Sequence, residues 1–232
     1  MIEIKEKIGL RIREIVNLMP SVANVADIGC DHGLTGLLSL SEKKAIQVIA
    51  TDISEPSLRK AYDLAEEYGL MSFYDFRLGD GLSVIDKDEV DAVIISGIGG
   101  ELMRNILEAG KSKISNLTKL VLSPNNREDV VRSWLYFAGF VVEQEKIIEE
   151  NGKFYQIFTA KMSPSSIRDI SDTKLGTHMV DTDQSVLKKY YDYKIKNLNE
   201  TLNNLQNAND EQEKIDEVKL AIAMYEDKKN GV

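Results

Sequence analysis

A single cysteine, Cys30, in 232 residues leaves no partner for an internal disulfide and no thiolate set for a zinc site. There are only two histidines, His32 and His178, so an imidazole-rich metal centre is excluded as well, and no metal is expected. No apolar run approaches the roughly 18 residues that a bilayer crossing needs, so no membrane partner is expected. The first residues, Met-Ile-Glu-Ile-Lys-Glu-Lys, lack the apolar core of a signal peptide. Basic residues are also scarce: 29 Lys and Arg stand against 38 Asp and Glu, for a net charge of −9. That balance excludes an affinity built on a broad basic surface, and any nucleic-acid contact has to come from a local patch. What remains, with 43% hydrophobic and 29% charged residues, reads as a folded cytoplasmic protein with one domain of ordinary size and a small extra element.

The hydrophobic pattern alternates between two periods. Ile4, Ile8, Ile12 and Ile15 follow helical spacing over residues 2–18, and Pro20 ends the run. Strands are expected at Val22–Ile28, Ile46–Ala50, Tyr74–Leu78, Ala92–Ile95 and Lys119–Leu122. Helices are expected between and after them at Leu34–Leu40, Pro56–Tyr68, Glu101–Glu108 and Arg127–Ala138. This βαβα rhythm implies an α/β fold with a doubly wound, largely parallel sheet. The rhythm then breaks. Phe140–Glu149 and Lys153–Lys161 are both strand-like, and Asn151-Gly152 between them is a hairpin signal because both positions tolerate φ > 0. The domain is expected to end near residue 162, with a polar linker over 163–182. A coiled-coil-like helical hairpin over 183–232 follows. Its seam comprises Leu187, Tyr191, Ile195, Leu198, Leu202 and Leu205, facing Ile215, Val218, Ile222 and Tyr225. Asn207–Asp210 separates the two helices, and Asp210 with Glu211 charges the second helix start. Such a short seam is not stable alone and has to dock on the domain or on another chain.

Chemistry gathers where the strands end. The first strand runs into Gly29-Cys30-Asp31-His32-Gly33, and Gly29 lets the backbone turn sharply under a ligand. The G-x-G-x-x-G fingerprint is absent, because Asp31 takes the place of the second glycine. A pyrophosphate needs bare N–H groups and no facing anion, so Asp31 would repel it. The sulfonium and ammonium of S-adenosylmethionine are cations and would be held. Gly29, Asp31 and His32 are therefore candidates for that cofactor, against the plainer reading of a turn with no ligand. Asp52, followed by Ile53, ends the second strand at the offset where an acid accepts from ribose hydroxyls. Asp80, with Gly81, ends the third and could accept from an adenine amino group, although a Gly-Asp-Gly turn needs no ligand. Gly97, Ile98 and Gly99 follow the fourth strand and allow close backbone approach. Pro124 and Asn125 follow the fifth, where Asn125 could pair with a base edge. Arg104, Arg127 and Arg132 lie near the same edge, while Lys188, Lys189, Lys194 and Lys196 share the first tail helix with Asp192. Taken singly, each of these reads first as part of a solvated face. Cys30 reads as a small packing residue and His178 as an exposed one.

At these residues the chain resembles the bacterial tRNA adenine-22 N1-methyltransferases, the TrmK family. The resemblance rests on Val25-Ala26-Asp27-Ile28-Gly29 with Asp31-His32, on Gly79-Asp80-Gly81-Leu82 and on Gly97-Ile98-Gly99-Gly100. It continues with Pro124-Asn125-Asn126-Arg127-Glu128-Asp129, Arg132, Trp134-Leu135, Glu149 and Gly152-Lys153-Phe154-Tyr155, and covers Leu175-Gly176 and the tail. The chain departs from the family pattern at Gly33-Leu34, where the family has Ala-Tyr, at Glu55 before Pro56, and at Ser123. The resemblance implies a Rossmann-like class I methyltransferase sheet ending in an antiparallel hairpin. It also implies S-adenosylmethionine as cofactor, tRNA as substrate, and methyl transfer to N1 of adenine 22. In that role Asp31 would stabilise the cationic product and Asn125 would orient the base. Pro124, Arg127, Lys188 and Lys189 would contact RNA, in a monomer or weak dimer. The alternatives are a methyltransferase acting on another RNA or a small molecule, and a non-catalytic cofactor-binding module.

Overall fold

Five short runs form the parallel strands of the computed structural model: β1 (Asn24–Ile28), β2 (Gln47–Asp52), β3 (Tyr74–Leu78), β4 (Ala92–Ser96) and β5 (Lys119–Ser123). The structure describes residues 8–114, 118–163, 172–176, 182–207 and 212–231, the side chains of 172 and 173 excepted. One seven-stranded sheet runs in the order β3-β2-β1-β4-β5-β7-β6. β1 and β4 sit in its middle, and Val25–Ile28 and Ala92–Ile95 are buried without alternation because helices cover both faces. β1 pairs with β2 on one side and β4 on the other, so the winding reverses between them. A crevice opens at the carboxyl ends of strands at such a reversal.

The last two strands, β6 (Phe140–Glu150) and β7 (Lys153–Met162), are antiparallel, and β7 inserts beside β5. Their turn is Asn151-Gly152, with φ of 52° and 73°, the paired left-handed conformation that the dipeptide predicts. Because β7 runs against β5, this turn rises at the same edge as the carboxyl ends of the parallel strands.

Helices α1 (Leu10–Leu18), α2 (Leu34–Ser41) and α3 (Glu55–Glu67) cover one face, where Ile15 and Ala61 pack on Val48, Ile94 and Val121. Helices α4 (Gly100–Ala109) and α5 (Glu128–Ala138) cover the other, where Met103, Leu107, Trp134 and Leu135 pack on Ile95 and Leu122. The first helix is shorter than the periodicity predicts. It begins at Leu10, and Ile8 lies ahead of it, buried against Leu37 and Leu38, while Ile4 falls outside the described residues. Val22 precedes β1, and Arg127 precedes α5 in the left-handed region, φ 50°.

The tail consists of a helical turn, α6 (Asp172–Leu175), and two long helices, α7 (Gln184–Asn207) and α8 (Gln212–Asn230). Leu187, Tyr190 and Tyr191 of α7, Tyr225 of α8 and Leu175 of α6 bury themselves on Ile147 of β6 and Phe154 of β7. The helical pair therefore docks on its own domain. Residues 164–171 and 177–181 of the expected linker, His178 among them, fall outside the described residues, as do Asp210 and Glu211 between the tail helices.

Candidate active site

The loops after the parallel strands are tied together by main-chain hydrogen bonds. Gly29 and Cys30 both donate to the Thr51 carbonyl at 2.9 Å. The Asp52 carboxylate then bridges two loops, accepting from the Asp31 N–H at 3.1 Å and the Ser54 N–H at 2.8 Å. Gly79 donates to the Asp52 carbonyl at 2.9 Å and brings in the loop that carries Asp80. On the other side of the crevice, Gly97 donates to Ser123, Asn125 donates to the Ile98 carbonyl at 2.8 Å, and the Asn125 side-chain amide donates to the Gly97 carbonyl at 2.5 Å. Gly29, Asp31, His32, Asp52, Asp80, Gly97, Ile98, Gly99 and Asn125 thus lie on one edge of the sheet.

The first loop owes its shape to three left-handed residues: Gly29 (φ 69°), Asp31 (φ 46°) and Gly33 (φ 69°). A Cβ at Gly29 would meet nothing within 4 Å, so this glycine faces open space. At Gly33 a Cβ would lie 2.7 Å from Cβ of Ala61, so close packing of α2 on α3 demands glycine there. Asp31 and His32 are exposed, with the imidazole Nε2 3.6 Å from the carboxylate.

Several expected residues are placed differently. Pro124 is buried and offers RNA no surface, because it lies where the fifth loop leaves the core. Gly81 is buried, and a Cβ on it would press on Ile106 of α4 at 2.9 Å, so packing accounts for it. Ile53 is 73% exposed. The Arg127 guanidinium is engaged by Asp129 at 3.1 Å and Glu101 at 3.4 Å. Lys189 pairs with Glu149 at 2.9 Å and Lys194 with Glu128 at 3.3 Å, so the tail's cations do not form one free basic face. Lys188 is exposed, with no carboxylate in reach among the described residues. Cys30 is buried in the core, as a packing residue should be.

Two functional candidates were not singled out by the sequence. Asp27 is fully buried at the end of β1, and its Oδ2 has no hydrogen-bond partner. Burial pushes its carboxyl up to about 7, against the pull of the Gly36 N–H and with a small push from Asp52. An acid inside the apolar run Val25–Ile28 was the available signal, since a buried carboxyl without a partner is costly. Burial also raises the Cys30 thiol and the Tyr74 hydroxyl, so neither is a ready nucleophile or base. The second candidate is Arg11 of α1. Its Nη1 donates to Asn125 Oδ1 at 2.8 Å, and its guanidinium lies 4.6 Å from the centre of the Tyr155 ring. No local pattern marks this arginine.

Among the described residues no cluster of three or more His, Cys, Asp or Glu could hold a metal, and no helix is long and apolar enough to cross a membrane. Residues 8–158 match the family model described as a methyltransferase domain, Methyltransf_18. The tRNA (adenine(22)-N(1))-methyltransferase of Bacillus subtilis is 38% identical over 155 residues, 67% of this chain and 65% of that relative, so the chain spans just under two thirds of its length. The crystal structure of the B. subtilis m1A22 tRNA methyltransferase TrmK superposes with a TM-score of 0.77 at 29% identity, covering 97% of this chain and 96% of that one. A Streptococcus pneumoniae protein solved in complex with S-adenosyl-L-methionine gives a TM-score of 0.77 at 28% identity over 93% and 99% of the two chains.

Proposed function

The chain belongs to the methyltransferase-domain family, and we propose that it transfers the methyl group of S-adenosylmethionine to ring nitrogen N1 of the adenine at position 22 of tRNA. The observation that carries this reading is the activity named for the B. subtilis relative, matched at 38% identity. The family resemblance read from the loop motifs leads to the same substrate.

The crevice suits that cofactor. The exposed Asp31 carboxylate, beside the open side of Gly29, offers an acceptor to cationic groups, and the buried Asp27 adds negative potential from behind. Asp52 would take the ribose and Asp80 the adenine amino group, with His32, Gly97, Ile98 and Gly99 as walls. When bound, S-adenosylmethionine supplies an electrophilic methyl on a sulfonium. Adenine N1 carries its own lone pair, so the protein needs no strong base, and alignment dominates the catalysis. The chain's task is to hold the acceptor and to stabilise the positive charge the base acquires. Asp31 would serve the second role. In stacked or paired RNA the nitrogen is hidden, so the base has to be presented out of the stack. The Asn125 amide is held at both ends, by Arg11 and by the Gly97 carbonyl, which leaves one N–H and one lone pair for a base edge.

A cytoplasmic location goes with a tRNA substrate. The tail spends its aromatic seam on its own domain, which supports a monomer or weak dimer. A second reading, another RNA or a small-molecule acceptor, is favoured only by the net charge of −9. Incubation with methyl-labelled S-adenosylmethionine and unmodified tRNA, beside a transcript with guanine at position 22, separates the two. Label in the first and not in the second is the expected result. Cofactor binding without transfer to either would leave the second reading. In the same assay Asp31→Ala should lower turnover at least about tenfold with the fold intact.

A further inference from the structure

Five of the seven arginines among the described residues are ion-paired: Arg59, Arg77, Arg104, Arg127 and Arg132. Arg11 is not. No carboxylate lies within ion-pairing distance of its guanidinium among the described residues, although the chain carries a net charge of −9. It sits in the first turn of α1, where a cation opposes the helix dipole and an anion would be favoured. The Glu150 carboxylate accepts from the Arg11 main-chain N–H at 3.3 Å and does not pair with the guanidinium. Stability alone would not choose this residue here.

The guanidinium is nevertheless held in place. Asn125 Oδ1 takes Nη1 at 2.8 Å, the Tyr155 ring lies under it at 4.6 Å, and Nη2 lies beside Gly97, 3.4 Å from where a Cβ would stand. Each of these contacts is neutral, so each orients the positive charge without cancelling it. The Asn125 amide is itself fixed by donating to the Gly97 carbonyl. A planar fork with unused N–H donors is thereby aimed at the edge where the fourth and fifth loops meet.

We propose that Arg11 is an oxyanion-binding residue of the site and that Asn125 is the residue that positions it. This rests on the function proposed above. Two sources supply an oxyanion there: the carboxylate at the methionine end of the cofactor, and a phosphate of the RNA. The acids Asp27, Asp31 and Asp52 suit the cofactor's ammonium and ribose but would repel its carboxylate, which needs a cation of its own. A phosphate next to the presented nucleotide needs the same partner.

The test uses the full chain and the variants R11A, R11K, R13A and N125A. S-adenosylhomocysteine binding is measured by calorimetry, and tRNA binding is measured as a function of salt. Arg13 lies on the same helix and is exposed, so R13A controls for loss of charge on α1. If the anion is the cofactor's carboxylate, R11A weakens S-adenosylhomocysteine about tenfold or more, whereas an analogue lacking that carboxylate binds both proteins alike. If it is a phosphate, R11A weakens tRNA and lowers the salt slope by about one, with the cofactor unaffected. Either result supports the proposal, with R11K intermediate and N125A weaker than wild type despite its intact charge. R11A that matches R13A in both assays, with an unchanged melting temperature, overturns it. Absence of methyl transfer by the wild type, with normal R11A effects on binding, would defeat the proposed function and leave the anion site standing.

Discussion

Arg132 of α5 and Glu145 of β6 face each other at 2.6 Å with both side chains almost wholly excluded from water. Arg132 also donates to Gln156 of β7, and Gln156 donates to the Tyr190 hydroxyl of α7. This polar chain runs from the helix behind the fifth loop, through the closing hairpin, into the tail. A buried pair of this kind adds little over an apolar isostere, but losing one partner strands the other charge. Glu145→Gln should therefore destabilise the protein by about 3–5 kcal/mol in denaturant unfolding. Hydrogen exchange over residues 184–207 should quicken together with that of β6. Glu145→Leu combined with Arg132→Met should cost clearly less than Glu145→Gln. An equal cost would show that shape, and not the stranded charge, sets the energy.

Asp27 makes the protein's stability depend on pH in a window where few other groups titrate. Its folded carboxyl is raised to about 7 from 3.8, so the folded state holds the proton more tightly than the unfolded chain does. The stabilisation is complete below the unfolded value, is lost as pH climbs from about 4 to 7, and is flat above. Asp27→Asn should abolish the part of this slope between about pH 5.5 and 7.5. A cationic cofactor group held near the Gly29 loop would favour the charged form through space. Binding of S-adenosylhomocysteine should then release a proton near pH 6 and tighten toward pH 8, and Asp27→Asn should remove both effects. Calorimetry in buffers of different ionisation enthalpy measures the proton directly. Equal proton release by the variant would place the titrating group elsewhere.

The glycines of the fourth loop serve packing as much as ligand. A Cβ at Gly100 would collide with the Arg127 carbonyl and lie 2.7 Å from the Asn126 carbonyl, and the Gly100 N–H donates to that same Asn126 oxygen at 3.1 Å. Backbone cannot step aside as a side chain can. Gly100→Ala should displace the Pro124–Arg127 loop, costing on the order of 1–3 kcal/mol of stability. It should reduce methyl transfer far more than it reduces cofactor affinity, because the Gly29 and Asp52 loops, proposed to hold the cofactor, are tied to each other and not to this loop. Equal loss in both measurements would show that the loop supports the cofactor instead.

Much of this was readable from sequence wherever a local rule decided the outcome. The alternation of apolar periods placed all seven strands, and Asn151-Gly152 announced the hairpin because its turn needs two left-handed residues. Asp31 and Asp52, which the structure brings together, could be singled out because loop acids at strand ends stand out against glycine. What stayed hidden depended on contacts distant in sequence. Arg11 meets Asn125 across 114 residues, and nothing near either residue announces the other. Asp27 was passed over because strand periodicity hides a single polar residue in an apolar run. Pro124 and Gly81 carry family motifs, but tertiary burial and not the motif decides what such residues can touch.

The tail lysines divide by partner. The closing hairpin's tip and the start of α5 both stand at the site's edge, and α7 is pinned to them through Lys189 on Glu149 and Lys194 on Glu128. Lys188, next to Lys189 in the chain, is exposed and unpaired among the described residues. A free cation contributes to phosphate binding by releasing a counterion, whereas a paired one first has to give up its carboxylate. Lys188→Ala should therefore weaken tRNA binding at low salt and reduce the salt slope by about one. Lys189→Ala should do less to the slope, and because the pair is exposed it should barely alter stability. The measurement is tRNA affinity from about 50 to 200 mM salt for both variants and the wild type. A larger slope change for Lys189→Ala than for Lys188→Ala would mean that RNA displaces Glu149 from its partner. Unchanged slopes for both would move the RNA path off α7 and toward the loops of the domain itself.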